Sequence, residues 1–200
     1  MSCRWSRALL LLLLLVPALP LIAQVGQVAG EVGLDHAALR VESPDLVLDA
    51  EFVIRLGPVV AEALERGVPL TLQTTVRSVR ARRLWWDAIE TETSHRASLS
   101  YHALSRRYVL QDVSPGQPDP GTQRVFFRRD AALKAWGAVI GLTVMPLADW
   151  QRLPERRVEV RARLDVDALP HPLRTVAYVS PDWRLASDWV RVPVDTGLQP

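Results

Sequence analysis

The sequence predicts a mainly β protein with two short helices (α+β), built as an antiparallel two-sheet sandwich that is immunoglobulin-like in outline. Apolar and polar residues alternate with a period of two in several separate segments, which is typical of strands with one buried face. Only two segments have the spacing of a helix, and they do not alternate regularly with the strands as helices do in parallel α/β folds. A single sheet with helices on one face is the alternative.

The predicted strands are the segments in which apolar residues occupy every second position. They cover 46–56, 70–81, 89–103, 108–113, 125–127, 158–168, 175–179 and 189–194. The clearest is the strand from Val158 to Ala168, in which the even positions are apolar and the odd positions are charged. A helix does not have that spacing, because its period is close to 3.6 residues.

A β-bulge is predicted near Arg77, because the apolar positions change parity between Val76 and Val79. Beyond the bulge the strand continues into a long hairpin arm. The end of that arm carries Trp85 and Trp86.

Two segments, 59–66 and 131–140, have apolar residues at helical spacing. Gly67 is placed to end the first helix. Asp130 is placed to cap the start of the second, and Gly141 is placed to end it.

The first 30 residues have the composition of an export signal. Arg4 and Arg7 precede an unbroken apolar run from Ala8 to Val16, and prolines follow it, as in a secretory leader. Cleavage is expected after Ala23, or failing that after Ala29, and the protein is expected in the periplasm. An uncleaved leader that anchors the protein in the inner membrane is the alternative.

The chain is therefore predicted to consist of a signal peptide, a flexible lead-in and a single antiparallel β-rich domain, at 1–23, 24–37 and 38–195. The lead-in is predicted to be flexible because its residues lack periodicity and include several glycines.

The composition excludes several classes of function. Cys3 is the only cysteine and lies in the leader, so the exported chain would have no disulfide and no cysteine-based metal or redox site. The four histidines do not occur at a metal-binding spacing, and no cofactor-binding motif is present. Because the formal net charge of +2 falls to zero without Arg4 and Arg7, nucleic-acid binding is not expected.

Charge is distributed unevenly along the chain. Segment 31–65 carries eight acidic residues and two arginines, whereas segment 77–107 carries seven arginines and three acidic residues. The two segments are expected to neutralise each other across a sheet. A surface that binds an anionic partner is the alternative.

The protein is expected not to be an enzyme, because no reaction site follows from the spacing of its residues. Ser98, Ser100 and His102 share one face of a predicted strand, and Asp112 on the next strand is expected within reach of them. The alternative function that these residues suggest is an envelope hydrolase with a serine nucleophile. The sequence has no nucleophile elbow and no oxyanion loop, so surface serines are the preferred interpretation.

Two pairs of carboxylates are predicted to share a strand face: Glu90 with Glu92, and Asp165 with Asp167. Each pair has arginines nearby. Cross-strand ion pairs are therefore expected rather than acid–base chemistry.

A partner-binding surface is predicted at the hairpin tip. Trp85 and Trp86 lie near Arg80, Arg82 and Arg83, and paired aromatic residues beside cations are typical of recognition surfaces. One of the two tryptophans is expected to face the core, which leaves the other for a partner.

Two further tryptophans near the C-terminus, Trp183 and Trp189, are predicted to close over the core. Both could also border a groove, since the indole ring has an apolar body and a polar N–H.

Several short motifs make the chain similar to a known bacterial family. They are LDAEF at 48–52, EALERGVPL at 62–70, WWD at 85–87, LSYHALSR at 99–106, LPHPL at 169–173 and SPDWRLASDW at 180–189. On these motifs the chain, from about Leu39 to Val192, resembles the exported proteobacterial family called domain of unknown function 4390. The resemblance implies export and a single domain, and it supplies no catalytic residues.

Members of that family look commonly to be encoded beside a membrane sensor kinase of the nitrogen-regulation type, so the resemblance implies an accessory role in the periplasm. The resulting prediction is a non-enzymatic interaction domain that binds an envelope protein. The outer segment of the sensor kinase is one candidate partner. Contact with the membrane is expected only through an uncleaved leader.

Overall fold

The structure is a computed structural model, and it describes residues 30–80, 88–114, 123–152 and 156–194. The strands in these ranges are β1 Glu31–Glu42, β2 Asp45–Arg55, β3 Leu70–Arg80, β4 Ala88–His102, β5 Arg107–Asp112, β6 Arg124–Phe126, β7 Ala138–Pro146, β8 Arg156–Leu164 and β9 Val190–Arg191. The α-helices are α1 Pro58–Glu65, α2 Arg129–Trp136, α3 Leu147–Gln151 and α4 His171–Val179.

The strands form two sheets with the orders β1-β2-β7 and β6-β5-β4-β3-β8-β9. Every pair of neighbouring strands is antiparallel. The predicted mainly β (α+β) fold with two antiparallel sheets in a sandwich-like arrangement is therefore confirmed. The sheets have three and six strands, whereas an immunoglobulin constant domain has four and three, so the similarity to that fold is one of outline.

The core lies between the sheets, because strands of each sheet direct alternate residues inward. The even-numbered residues of β2 from Leu46 to Ile54 are buried, and so are those of β8 from Val158 to Leu164. Helix α2 packs against β2, β4 and β5. Its Trp136 is buried, and the Nε1–H donates a hydrogen bond of 2.8 Å to the carbonyl oxygen of Ala97, which satisfies the indole in the apolar interior.

Helix α1 begins and ends close to the predicted residues. Pro58 occupies the first turn, where its fixed φ suits a helix and its missing N–H is not needed. Gly67 has a φ of +85°, a left-handed conformation that glycine adopts without strain. The chain therefore turns sharply into β3.

Segment 31–37, predicted as part of the flexible lead-in, is instead the first half of β1. Strand β1 pairs with β2 along its whole length and buries Val32 and Leu39. A register shift between Leu34 and His36 interrupts the alternation of apolar residues. The prediction was wrong because a bulge breaks the period on which it depended.

The predicted helix 131–140 is also partly wrong, since α2 ends at Trp136 and β7 follows at once. The N–H of Phe52 donates a 2.9 Å hydrogen bond to the carbonyl oxygen of Gly137. A Cβ atom at Gly137 would lie 2.1 Å from the carbonyl oxygen of Phe52, so only glycine permits this close approach. Gly141, with a φ of +70°, lies within β7 and does not end a helix.

Two predictions near the C-terminus need correction. Strand β8 ends at Leu164, before the predicted end, because the Asp165 side chain accepts a hydrogen bond of 3.1 Å from the N–H of Asp167 and begins a 3₁₀ turn. Segment 175–179, predicted as extended, belongs to α4. Five residues are too few for periodicity to separate a strand from a helix.

Helices α3 and α4 add to the two that were predicted. Within the described ranges, none of the helices is both long and apolar enough to cross a membrane.

Candidate functional site: an arginine-lined cleft on the larger sheet

The central strands of the six-stranded sheet present a polar face on the side away from the core. Apolar residues at even positions of β3 and β8 pack in the core, so residues at odd positions point outward. In the pairing register, Thr75 of β3 lies beside Arg161 of β8, and Gln73 lies beside Arg163. Outward side chains of the two strands therefore meet in rows.

These side chains surround a cleft of about 230 Å³. Its lining residues come from β3, β4, β8 and the segment before β9: Gln73, Thr75, Glu92, Arg161, Arg163 and Trp189. We call these six residues the arginine cleft. Gln73 and Thr75 are only 9% and 8% exposed although they point away from the core, so they form the floor of the cleft.

The two arginines of the cleft are held by neutral oxygens. Arg163 donates from Nε and Nη2 to Gln73 Oε1, at 3.2 and 3.0 Å. Arg161 donates from Nε to the carbonyl oxygen of Ser187 at 3.0 Å. Neither guanidinium forms an ion pair with a carboxylate in the described part of the chain. The cleft therefore has two cations in fixed directions that form no ion pair within the described residues, and one carboxylate, Glu92.

The segment that carries Trp189 is fixed along β8 by Ser187. The Ser187 N–H donates to the carbonyl oxygen of Ala162 at 2.8 Å, and the Ser187 hydroxyl accepts from the Ala162 N–H at 3.0 Å. Ser187 is buried. Trp189, two residues further along, is placed over the end of the cleft, where its ring covers Arg77 at 3.8 Å from the guanidinium carbon.

Beyond Trp189 the charges are paired. Arg77 donates to Glu159 Oε2 from Nη2 and Nε, at 2.8 and 2.9 Å, and Arg157 donates to Glu159 Oε1 at 2.7 Å. Partial burial works to raise the pKa of Glu159, but the hydrogen bonds from Arg157 and Arg77 outweigh it and hold the pKa below its usual value. This end of the polar face is therefore an ion-paired cluster in which two arginines share one carboxylate.

Most of the predicted partner-binding surface lies outside the described residues. Trp85, Trp86, Arg82 and Arg83 belong to segment 81–87, which the structure does not describe. Arg80, at the end of β3, is described.

The Nε atom of Arg80 lies 3.1 Å from Glu90 Oε1. Glu90 also contacts Arg156 through Oε2. We call these three residues the Arg–Glu–Arg cluster, and two of them, Arg80 and Glu90, lie close to the ends of the undescribed segment 81–87 in the sequence.

The predicted bulge is confirmed, and it separates Glu90 from Glu92. Ser78 pairs with Thr91 and Val79 pairs with Ile89, so Glu90 is the extra residue. Glu90 turns to the side of Arg156, whereas Glu92 lines the arginine cleft. The prediction that the two carboxylates share a face was wrong, because an inserted residue reverses the alternation.

The second carboxylate pair, Asp165 and Asp167, does not share a strand face either, because β8 ends before both residues. Asp165 lies 3.4 Å from Nε of Arg96, as expected for an ion pair. Asp167 accepts a hydrogen bond from the Tyr178 hydroxyl.

Of the residues of the hydrolase alternative, the two serines and His102 share one face of the sheet, and Asp112 does not lie with them. Ser98, Ser100 and His102 occupy outward positions of β4, but Asp112 pairs directly with Ala97. Directly paired residues share a face, so Asp112 lies on the opposite side of the sheet from the serines. The expectation that Asp112 approaches them was wrong.

Asp112 instead lies beside His95. Asp112 Oδ2 is 3.4 Å from His95 Nδ1, and Ser114 Oγ is 3.1 Å from the same nitrogen. In a catalytic triad the serine and the carboxylate occupy different ring nitrogens, so this group is not a proton relay of that kind. Burial lowers the pKa of His95, with Arg124 in support and the Asp112 carboxylate in opposition.

The acidic segment 31–65 and the arginine-rich segment 77–107 do not neutralise each other among the residues that the structure describes. Arginines of the second segment pair with Glu159, Glu90 and Asp165, while acids of the first segment pair with other cations. For the residues that the structure describes, the expectation of mutual neutralisation was wrong, since the two segments lie mainly in different sheets.

The sequence did not predict the arginine cleft as a site. Arg161 and Arg163 were predicted to point outward, and Trp189 to close over the core or border a groove. Trp183 is 4% exposed and belongs to the core, whereas Trp189 borders the cleft. Two arginines at alternate positions on one strand were the available signal, but the pairing that brings Gln73 and Trp189 beside them is long-range.

Metal-ligating side chains are not gathered into a site within the described ranges, where no group of three or more His, Cys, Asp or Glu residues could hold an ion.

The fold and the cleft together define a class: a β-sandwich-like domain with a cationic cleft on the outer face of its larger sheet. The chain belongs to the family described as domain of unknown function (DUF4390), whose family model matches residues 29–193. This match confirms the resemblance predicted from the short motifs. No curated protein and no solved structure matches the chain.

Proposed function

We propose that this protein is an exported, non-enzymatic interaction domain of the bacterial periplasm. It binds an envelope protein through the arginine cleft and through segment 81–87, which contains Trp85 and Trp86. The outer segment of a membrane sensor kinase is the first candidate partner. The observation that carries the proposal is the pair of fixed cations, Arg161 and Arg163, that have no carboxylate partner in the described chain.

The cleft and the predicted tryptophan segment follow each other along the chain. Thr75 on the floor of the cleft and Arg80 at the end of β3 are five residues apart on one strand, which corresponds to about 17 Å at the rise of a β-strand. Because five is an odd number of residues, the side chain of Arg80 points to the face of the sheet opposite to that of Thr75. Segment 81–87, which contains Trp85 and Trp86, follows Arg80 directly in the sequence. An interface of ordinary size, roughly 800 Å² on each side, has the dimensions to extend from the cleft to the end of β3.

The experiment that tests the proposal is site-specific photocrosslinking in cells of the native host. A photoreactive residue is placed at Ser94, next to Thr75 on β4, or at Trp86. The matched control is Val53, which is 44% exposed on the smaller sheet. We expect the same partner protein in the adducts from Ser94 and Trp86 and not in those from Val53. Equal adducts from Val53, or no adduct from Ser94, would contradict the proposal.

Export is tested separately by cell fractionation and by the intact mass of the protein from its host. We expect a periplasmic product that lacks the mass of residues 1–23. A product of full-length mass in the inner-membrane fraction would support the anchored alternative, and one in the cytosol would contradict export.

A further inference from the structure

We propose that the arginine cleft is a carboxylate-binding site, and that its occupant is a glutamate or aspartate side chain in an acidic segment of the protein partner. This inference rests on the proposed function, because it names the chemistry that the partner presents to the cleft.

The first support is the distribution of charge on the outward face. Four arginines surround the cleft and its ends, and two of them form ion pairs with carboxylates: Arg77 with Glu159, and Arg96 with Asp165. Arg161 and Arg163 have no such partner among the described residues. They are two positions apart on β8, so their Cα atoms are about 7 Å apart and both side chains point outward.

The second support is the orientation of the two guanidinium groups. Gln73 holds Arg163 through two hydrogen bonds, and the carbonyl oxygen of Ser187 holds Arg161 through one. Each arginine has five N–H donors, so donors remain after these bonds are made. A guanidinium that is already fixed loses little entropy when it binds, and its planar set of donors fits a carboxylate in bidentate geometry.

The third support is the size and lining of the cleft. Its volume of about 230 Å³ is below the roughly 300 to 1,000 Å³ of small-molecule pockets, which suits one side chain. Trp189 offers an apolar wall to the methylene groups of that side chain. Glu92 at the opposite side, and Glu159 beyond Trp189, disfavour a dianion such as phosphate more strongly than a carboxylate.

The test is a titration followed by NMR. The protein is labelled with ¹⁵N and purified in the form that its host accumulates. It is titrated with a capped hexaglutamate peptide, and a capped hexaglutamine peptide is the matched ligand control. We expect hexaglutamate to shift the Nε–H signals of Arg161 and Arg163 and the indole signal of Trp189. Hexaglutamine should leave these signals unchanged.

The variants are Arg161→Gln and Arg163→Gln, and the control is Arg55→Gln, which removes the same charge from the smaller sheet. Because a hydrogen bond to a charged group contributes about 1.5 to 3 kcal/mol, we expect each cleft variant to weaken hexaglutamate binding at least about tenfold. Arg55→Gln should leave the affinity unchanged. Backbone signals away from the cleft check that each variant is folded.

Three results would overturn the inference. The first is undiminished binding by the Arg161→Gln/Arg163→Gln double variant. The second is inorganic phosphate that shifts the same signals and binds as tightly as hexaglutamate, and the third is absence of any shift with hexaglutamate. If adducts from Ser94 still contain one partner in that case, the proposed function stands and only the chemistry assigned to the cleft fails. If hexaglutamate binds but Ser94 yields no adduct, the cleft binds carboxylate and the proposed function fails.

Discussion

Replacement of Glu90 by glutamine is expected to destabilise the protein strongly, because Glu90 is the centre of the Arg–Glu–Arg cluster. Its Oε1 atom lies 3.1 Å from Nε of Arg80, and Oε2 contacts Nε of Arg156. The side chain of Arg156 is 10% exposed and that of Glu90 is 17% exposed. Arg156 also donates from Nη1 to the carbonyl oxygen of Asp149 in helix α3, which follows β7 of the smaller sheet.

The magnitude follows from the charge that is left behind. Removal of one partner from a buried ion pair costs about 3 to 5 kcal/mol, because the other charge stays buried without compensation. Both side chains retain some contact with solvent, so the low end of that range applies, about 3 kcal/mol. For a domain of this size, the melting temperature should fall by about 6 to 12 °C.

The free energy of unfolding is measured by urea titration, and the melting temperature by calorimetry. The matched control is Glu92→Gln on the same strand, an exposed residue with no ion pair in the described chain, for which we expect a change below about 0.5 kcal/mol. The double variant Glu90→Gln/Arg156→Met should recover most of the loss, because it removes the unpaired charge as well. Equal effects of Glu90→Gln and Glu92→Gln, or simple additivity in the double variant, would refute this reasoning.

Two further predictions concern the packing of a glycine and the titration of a histidine. Gly137→Ala should lower the free energy of unfolding by about 3 kcal/mol or prevent folding, because the new Cβ would lie 2.1 Å from the carbonyl oxygen of Phe52. The control is Gly33→Ala, whose new Cβ has nothing within 4 Å and which should change the free energy of unfolding by less than about 0.5 kcal/mol. Equal effects of the two variants in urea titrations would contradict the argument. Burial lowers the pKa of His95 below the 6.5 of the unfolded chain, so its contribution to stability is present above pH 6.5 and is lost as the pH falls through the folded-state pKa. Between pH 7 and pH 5, the free energy of unfolding should therefore fall less for His95→Asn than for the parent. If the free energies of the two proteins fall in parallel with pH, the assignment of this pH dependence to His95 is wrong.

The sequence predicts a strand well where one face is continuously buried. Strand β2 and the first part of the 158–168 segment have apolar residues at every even position, so their inward faces could be assigned from parity alone. Strand β1 could not be found because a register shift after Leu34 breaks its period. Strand β7 could not be found because Gly137 ends the preceding helix through contact with Phe52, which lies far away in the sequence.

The candidate site could be predicted only in its components. Parity placed Arg161 and Arg163 on the outward face, but a cleft also needs the partners across the sheet. Those partners depend on register, which here brings Gln73 and Thr75 next to residues about ninety positions away. The bulge near Arg77 could be predicted from the change in parity. The extra residue could not be predicted, because it lies on β4 and is Glu90 itself. Glu90 therefore points to the face opposite to the expected one.

The outermost strands of the two sheets differ in length, and each sheet therefore needs a different protection against edge-to-edge pairing with a second molecule. In the larger sheet the outermost strands, β6 and β9, are only three and two residues long, which leaves little backbone free to template a new neighbour. In the smaller sheet, the outermost strand β1 is twelve residues long, but it carries charged side chains at Glu31, Asp35, Arg40 and Glu42 and is interrupted by its register shift. Charges and bulges are among the devices by which natural sheets resist edge-to-edge aggregation. Neutral substitutions along β1 should therefore make the protein prone to fibrous self-association while its fold remains intact.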